Sequence, residues 1–272
     1  KFPLDITADA NGGVFVSDNS SVYRIGSNGA VKPVGWVFGE GFPGSVRGLI
    51  HVGDGRLIVT TTDYRIVEYW PEARSSRTLY TADGQLCGIA IMPDGTIVAV
   101  EQGRGRVIAL DGASARVLAD DLDEPMGIAI ADDGAIYVSD HRAGRIVTIA
   151  DGAVGEIDGP FEAPQGLAFD DGRLCIVDAG LRRILSYDPA TGGMATLAEN
   201  LPIGPPPGVV QQPLNGLPPL SGPFGPFAGI AAVRTGTFCF SADAEGSVMM
   251  LFAGNPSATA FTQSHRKGET AL

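Results

Sequence analysis

Apolar residues come in short runs along this chain, and Gly, Asn or Asp interrupts each run before it reaches helical length. The clearest unit reads Met126-Gly127-Ile128-Ala129-Ile130, then the turn Asp133-Gly134, then Ile136-Tyr137-Val138-Ser139-Asp140, then Arg145-Ile146-Val147. Copies begin at Asp5, Gly48, Gly88, Gly127, Gly166 and Gly229, so successive steps are 43, 40, 39, 39 and 63 residues. A repeat of about 40 residues made only of strand-length runs predicts a propeller, because one four-stranded blade cannot bury both faces without neighbours. The expected fold class is all-β, a six-bladed β-propeller of four-stranded antiparallel blades, and residues 1-272 make a single domain.

Within a copy, the first strand is short and opens on Gly, as in Gly88-Ile89-Ala90-Ile91, which suits an inner strand at a crowded axis. Hairpins follow at Asn11-Gly12, Asp54-Gly55, Asp94-Gly95, Asp133-Gly134, Asp171-Gly172 and Thr235-Gly236, residue pairs that tolerate positive φ. The second strand ends on Asp18, Thr61, Glu101, Asp140 or Asp178, with Asp243 offset by one, and Arg65, Arg106, Arg145 and Arg183 open third strands. Outer strands are expected around Val31-Pro33, Arg77-Tyr80, Arg116-Leu118, Gly155-Ile157, Met194-Leu197 and Ala258-Phe261. The ring then closes by face packing, with no strand borrowed across the seam.

Two insertions break the repeat, at 35-44 and 201-227, both on connections from an outer strand to the next inner strand. They are expected to converge over one face as lids. Trp36, Phe38, Phe42, Phe224 and Phe227 then roof an apolar pocket or seal the channel end as a satellite core.

The net charge of −12 argues against nucleic acid as a partner, since phosphate binding needs a basic stripe. No run of about 18 apolar residues occurs, so no membrane-spanning helix is expected. Cys87, Cys175 and Cys239 form an odd set without CxxC spacing, which disfavours a disulfide framework or a zinc knuckle. A cytoplasmic location follows as the simpler expectation, compatible with a leader lost from the N-terminus; oligomeric state stays open.

Pro125-Met126-Gly127-Ile128-Ala129-Ile130 through Asp140 and Arg145-Ile146, and Pro164-Gln165-Gly166 through Asp178 and Arg183-Ile184, resemble the NHL repeat. The likeness covers about residues 3 to 252. It implies a six-bladed shape shared by gluconolactonase and senescence-marker-protein enzymes, strictosidine-synthase-like proteins and NHL sensor or interaction modules. The gluconolactonase type implies a divalent cation held by acids and Asn just before the inner-strand Gly. Here those positions are Leu4, Arg47, Cys87, Met126, Gln165 and Ala228, so that metal seat is missing and neither a metal nor another cofactor is expected.

The acids ending second strands recur because the blade recurs, and the plain account is backbone N–H bonding or pairing with the third-strand Arg. Glu101 stands apart as longer and followed by the open loop Gln102-Gly103-Arg104-Gly105. Arg47, Cys87, Met126 and Gln165 fall at the channel mouth, where Arg47 anchors an anion and Gln165 orients a substrate. His51 and His141 are the other proton-transfer candidates, each with a hydrogen-bonded structural role as the alternative; His265 lies in a polar tail. The leading expectation is an enzyme acting without metal on a small, partly hydrophobic substrate by hydrolysis, elimination or isomerisation. The alternative is a non-catalytic NHL sensor or protein-interaction module.

Overall fold

Every repeat runs up and down through adjacent antiparallel strands, because short hairpins join its apolar runs and the inner runs are buried on both faces. In the computed structural model, which describes residues 3–18, 20–205, 209, 215 and 225–253, six such sheets stand around one axis as a six-bladed β-propeller. Five sheets have four strands, and the sixth has three among the described residues. The expected outer strand Ala258-Phe261 lies outside them. The innermost strands are Pro3–Ala8, Val46–His51, Ile89–Ile91, Pro125–Ile130, Pro164–Asp170 and Ile230–Arg234. Third strands begin on Arg65, Arg106, Arg145 and Arg183, and the outer strands, such as Ser75–Thr81, are mostly exposed.

The hairpins follow their sequence. Asp171-Gly172 closes the Asp170–Arg173 pair as a two-residue loop with φ of 48° and 74°, the left-handed pair such a turn requires.

Apolar clusters fill the seams between blades, for example Phe15, Val22, Leu49, Val59 and Tyr69 between blades one and two. Near the axis the seams are joined by polar groups in a sixfold pattern. In blades three and five, whose second strands carry Val100 and Val177, the N–H groups of Gly88 and Gly166 reach the carbonyls of Met126 and Ala228 directly, at 2.8 and 3.1 Å. In blades one, two and four a hydroxyl intervenes. Ser17, Thr60 and Ser139 accept from the amides of Asp5, Gly48 and Gly127 and donate to the carbonyls of Arg47, Cys87 and Gln165. Blade six uses both devices on one acceptor: Gly229 N–H and the Ser241 hydroxyl bond Leu4 O at 3.1 and 2.6 Å, tying the last blade to the first. In blades two and four the leading glycine is required, because a Cβ on Gly127 would run into the Gln165 carbonyl, and one on Gly48 into that of Cys87.

The first insertion is shorter than its sequence suggests. Gly35 and Trp36 belong to the outer strand Val31–Trp36, since a bulge at Val34 carries the pairing on to Val22 and Ser21. The remaining residues of the insertion run along the outer side of blade two: Gly41 abuts the Arg74 backbone, Arg65 Nη2 donates to Pro43 O at 2.8 Å, and Tyr69 Oη donates to Val34 O at 3.1 Å. The second insertion enters over blades five and six, with Leu201 and Ile203 buried and Gly204 N–H on Asp243, and its end, residues 225–228, lies across the channel mouth.

Candidate functional site

The six residues that precede the inner-strand Gly position, Leu4, Arg47, Cys87, Met126, Gln165 and Ala228, are all buried. Arg47 is 1% exposed; its Nη1 donates to Gly225 O at 2.6 Å, and its buried Nε has no partner among the described residues. Gln165 Oε1 accepts from Ala228 N–H at 2.7 Å. Phe227 packs between them with Leu4, Cys87 and Met126. The mouth is thus filled by the chain's own 225–228 segment, and the amide and cation expected to grip a substrate hold that plug. Burial pushes the Cys87 thiol up, against the opposing pull of Arg47. Phe224 lies outside the described residues.

The four proton-transfer and anchoring candidates do not converge. Arg47 and His51 lie at opposite ends of one strand, four residues and so about 13 Å apart. His51 stacks on Phe15 with ring centroids 5.3 Å apart. Glu101 is fully buried and accepts from Arg106 Nε at 2.5 Å, while its Oε1 has no partner among the described residues. His141 donates its backbone N–H to Glu124 O at 3.0 Å and keeps a buried Nδ1 without a partner among the described residues. Asp140 and Asp178 take amides of the loops that lead into their own blades, Asp123, Glu124, Glu162 and Ala163, and pair with Arg145 and Arg183. These two carboxylates staple the incoming loop to the second strand.

The aromatic candidates of the first insertion separate as well. Phe42 meets Tyr69 edge-on, with centroids 5.6 Å apart, whereas Trp36 is 54% and Phe38 77% exposed. A groove of about 310 Å³ runs here between Pro33, Trp36, Phe42, Tyr69 and Pro71. Among the described residues, no three His, Cys, Asp or Glu side chains come together as metal ligands.

A different site lies on the axis beneath the plug. A cavity of about 330 Å³ is walled by the inner strands, from Phe227 and Asp5 at its blind end to His51 and Phe169 at the strand ends on the hairpin face. Asp5 occupies the position that is Gly in the other five blades. Its Oδ1 accepts Ile6 N–H and its Oδ2 accepts Leu49 N–H, each at 2.9 Å, so the carboxyl bridges the inner strands of blades one and two. It is partly exposed, to the cavity, while lying deep in the protein. Burial lifts its pKa from 3.8 to about 7, against the Leu49 and Ile6 amides and the charge of Arg47. The cue was present in the sequence as the one acid at a sixfold glycine position. Periodicity alone marks that residue as the start of a copy and attaches no weight to its side chain.

No protein-family model matches the chain, and no curated protein matches it in sequence. Solved structures do match in shape. A catalytically inactive virginiamycin B lyase from Staphylococcus aureus with quinupristin is 18% identical, with a TM-score of 0.64 over 93% of this chain and 82% of that one. A chain of the nidogen/laminin complex is 18% identical, with a TM-score of 0.63 over 75% of this chain and 80% of its own. The PQQ-bound aldose sugar dehydrogenase from Streptomyces coelicolor is 14% identical, with a TM-score of 0.63 over 92% and 93%. At these identities the likeness establishes the propeller fold.

Proposed function

We propose that this propeller binds a small, partly apolar molecule in its axial cavity, entered from the hairpin face, and acts on it by proton transfer without a metal. The observation that carries this reading is Asp5, a carboxyl with a pKa of about 7 at the blind end of a cavity of about 330 Å³. An acid–base group works best when its pKa lies near the operating pH, and perturbed carboxyls in cavities mark functional sites more often than the outer surface does. The volume is at the lower end of small-ligand pockets. Elimination, isomerisation and hydrolysis all use such a group, and one propeller of similar shape is a lyase.

The test narrows the cavity at its open end. Ala8, a partly exposed residue of the cavity wall, is replaced by Phe, and wild type and Ala8→Phe are compared in a thermal-shift screen of small molecules. Compounds that raise the wild-type melting temperature should leave the folded variant unmoved. Compounds that stabilise both alike would place the site elsewhere.

A second reading, docking of a protein partner, is favoured by Trp36 and Phe38, large rings exposed beside the blade-one groove. Its test is the double change Trp36→Ala, Phe38→Ala, which should leave the melting temperature and small-molecule shifts intact while abolishing any complex.

A further inference from the structure

The inner strands that wall the cavity turn Ile89, Ala90, Ile128, Ala129 and Leu167 into the seams between blades, so the surface that faces the space is more polar than apolar. Among the described lining residues only Asp5 and His51 carry an ionisable side chain, and they stand at opposite ends. Glycine suffices at the Asp5 position in five blades, so packing alone does not call for a side chain there. Each Asp5 oxygen accepts one backbone N–H and keeps lone-pair capacity for a further donor. The groups that face Asp5 from the neighbouring elements are Arg47 and the thiol of Cys87. Arg47 lies one residue closer to the mouth, is engaged by Gly225 O and does not line the cavity, so among the described residues the space is faced by a carboxyl and by no Lys or Arg.

Resting on the small-molecule reading above, we propose that the axial cavity selects a small organic cation, a primary alkyl- or aralkylammonium. Its N–H groups pair with the Asp5 carboxylate at the blind end, and the rest of the molecule lies along the inner strands. A carboxylate shut away from bulk water is unfavourable until a charged donor reaches it, and the resulting charge-assisted hydrogen bonds are stronger than those to a neutral hydroxyl. The net charge of −12 further favours the approach of cations.

Benzylamine and benzyl alcohol, alike in shape and different in charge, are titrated calorimetrically into the whole chain at pH 8 and pH 5.5. Benzylamine should bind one to one at pH 8 and benzyl alcohol at least about tenfold more weakly. With a carboxyl pKa of about 7, the ionised fraction of Asp5 falls about 30-fold between these pH values, and benzylamine affinity should fall with it. Asp5→Asn should remove both the preference and the pH dependence; Asp5→Gly, which restores the residue of the other blades, serves if the Asn variant does not fold. Equal binding of amine and alcohol, or an amine preference that survives in the folded Asp5 variants, would overturn the cation assignment while leaving the cavity reading intact. Benzylamine binding that persists in Ala8→Phe would overturn both.

Discussion

Asp5 shows how one side chain turns a structural position into a chemical one. Five glycines let neighbouring backbones touch, and the sixth place holds a carboxyl that bonds two amides and still faces open space. Its protonation is also a stability statement. The folded protein holds this proton up to about pH 7, whereas the unfolded chain releases it near 3.8, so in between the native state binds more protons. Stability should therefore fall as pH rises from about 4 to 7 and level off above, relative to Asp5→Asn. Urea midpoints of the two proteins measured across that range should diverge; parallel curves would show that Asp5 titrates normally. Neither its depth nor its neighbours are visible in Lys1 to Asp5 read as sequence, because both come from Leu49 and Arg47, more than forty positions away.

At the scale of a strand, the repeat was legible because each element needs its residues for local reasons. Second strands end at Asp18, Thr61, Glu101, Asp140 and Asp178 as expected, and third strands begin at their Arg residues, since alternation and turn chemistry act over a few positions. Trp36 was misplaced into a loop because a bulge at Val34 depends on pairing with Val22 and Tyr23, a partner strand that local reading does not weigh. Glycines sort by the same distinction. Gly152→Ala, at φ 76° with open space around it, should destabilise by about 1–2 kcal/mol through backbone strain alone. Gly127→Ala drives a Cβ into the main-chain carbonyl of Gln165, which has no rotamer to escape by, and should destabilise by about 3 kcal/mol or more. Chemical denaturation of the two variants would reverse this account if their midpoints coincided.

The whole molecule is a ring whose polar girdle is only as strong as its seams. Ser139 serves two buried groups, the Gly127 amide and the Gln165 carbonyl, so Ser139→Ala leaves both without a partner, and each unmet group costs about 1–3 kcal/mol. At the closing seam the Leu4 carbonyl keeps the Gly229 amide when Ser241 loses its hydroxyl, so Ser241→Ala should destabilise by only about 1 kcal/mol. Hydrogen exchange should locate the second effect in the first and last blades. An equal loss in the two variants would mean that ring closure rests on Ser241 and not on the shared pair of donors.

Periodicity, turn residues and the leading glycines determined the six blades by themselves, because each acts between residues close in the chain. The fate of Arg47, Gln165 and Phe227 was decided only in three dimensions. Residues 225–228 return across the axis to Arg47, 178 positions from Gly225, and convert an expected pocket mouth into a plug. The same closure leaves the cavity behind it reachable from the other face, with Asp5 at its end. Which side of a ring is open depends on where a distant segment finds its hydrogen-bond partners, and no local pattern encodes that.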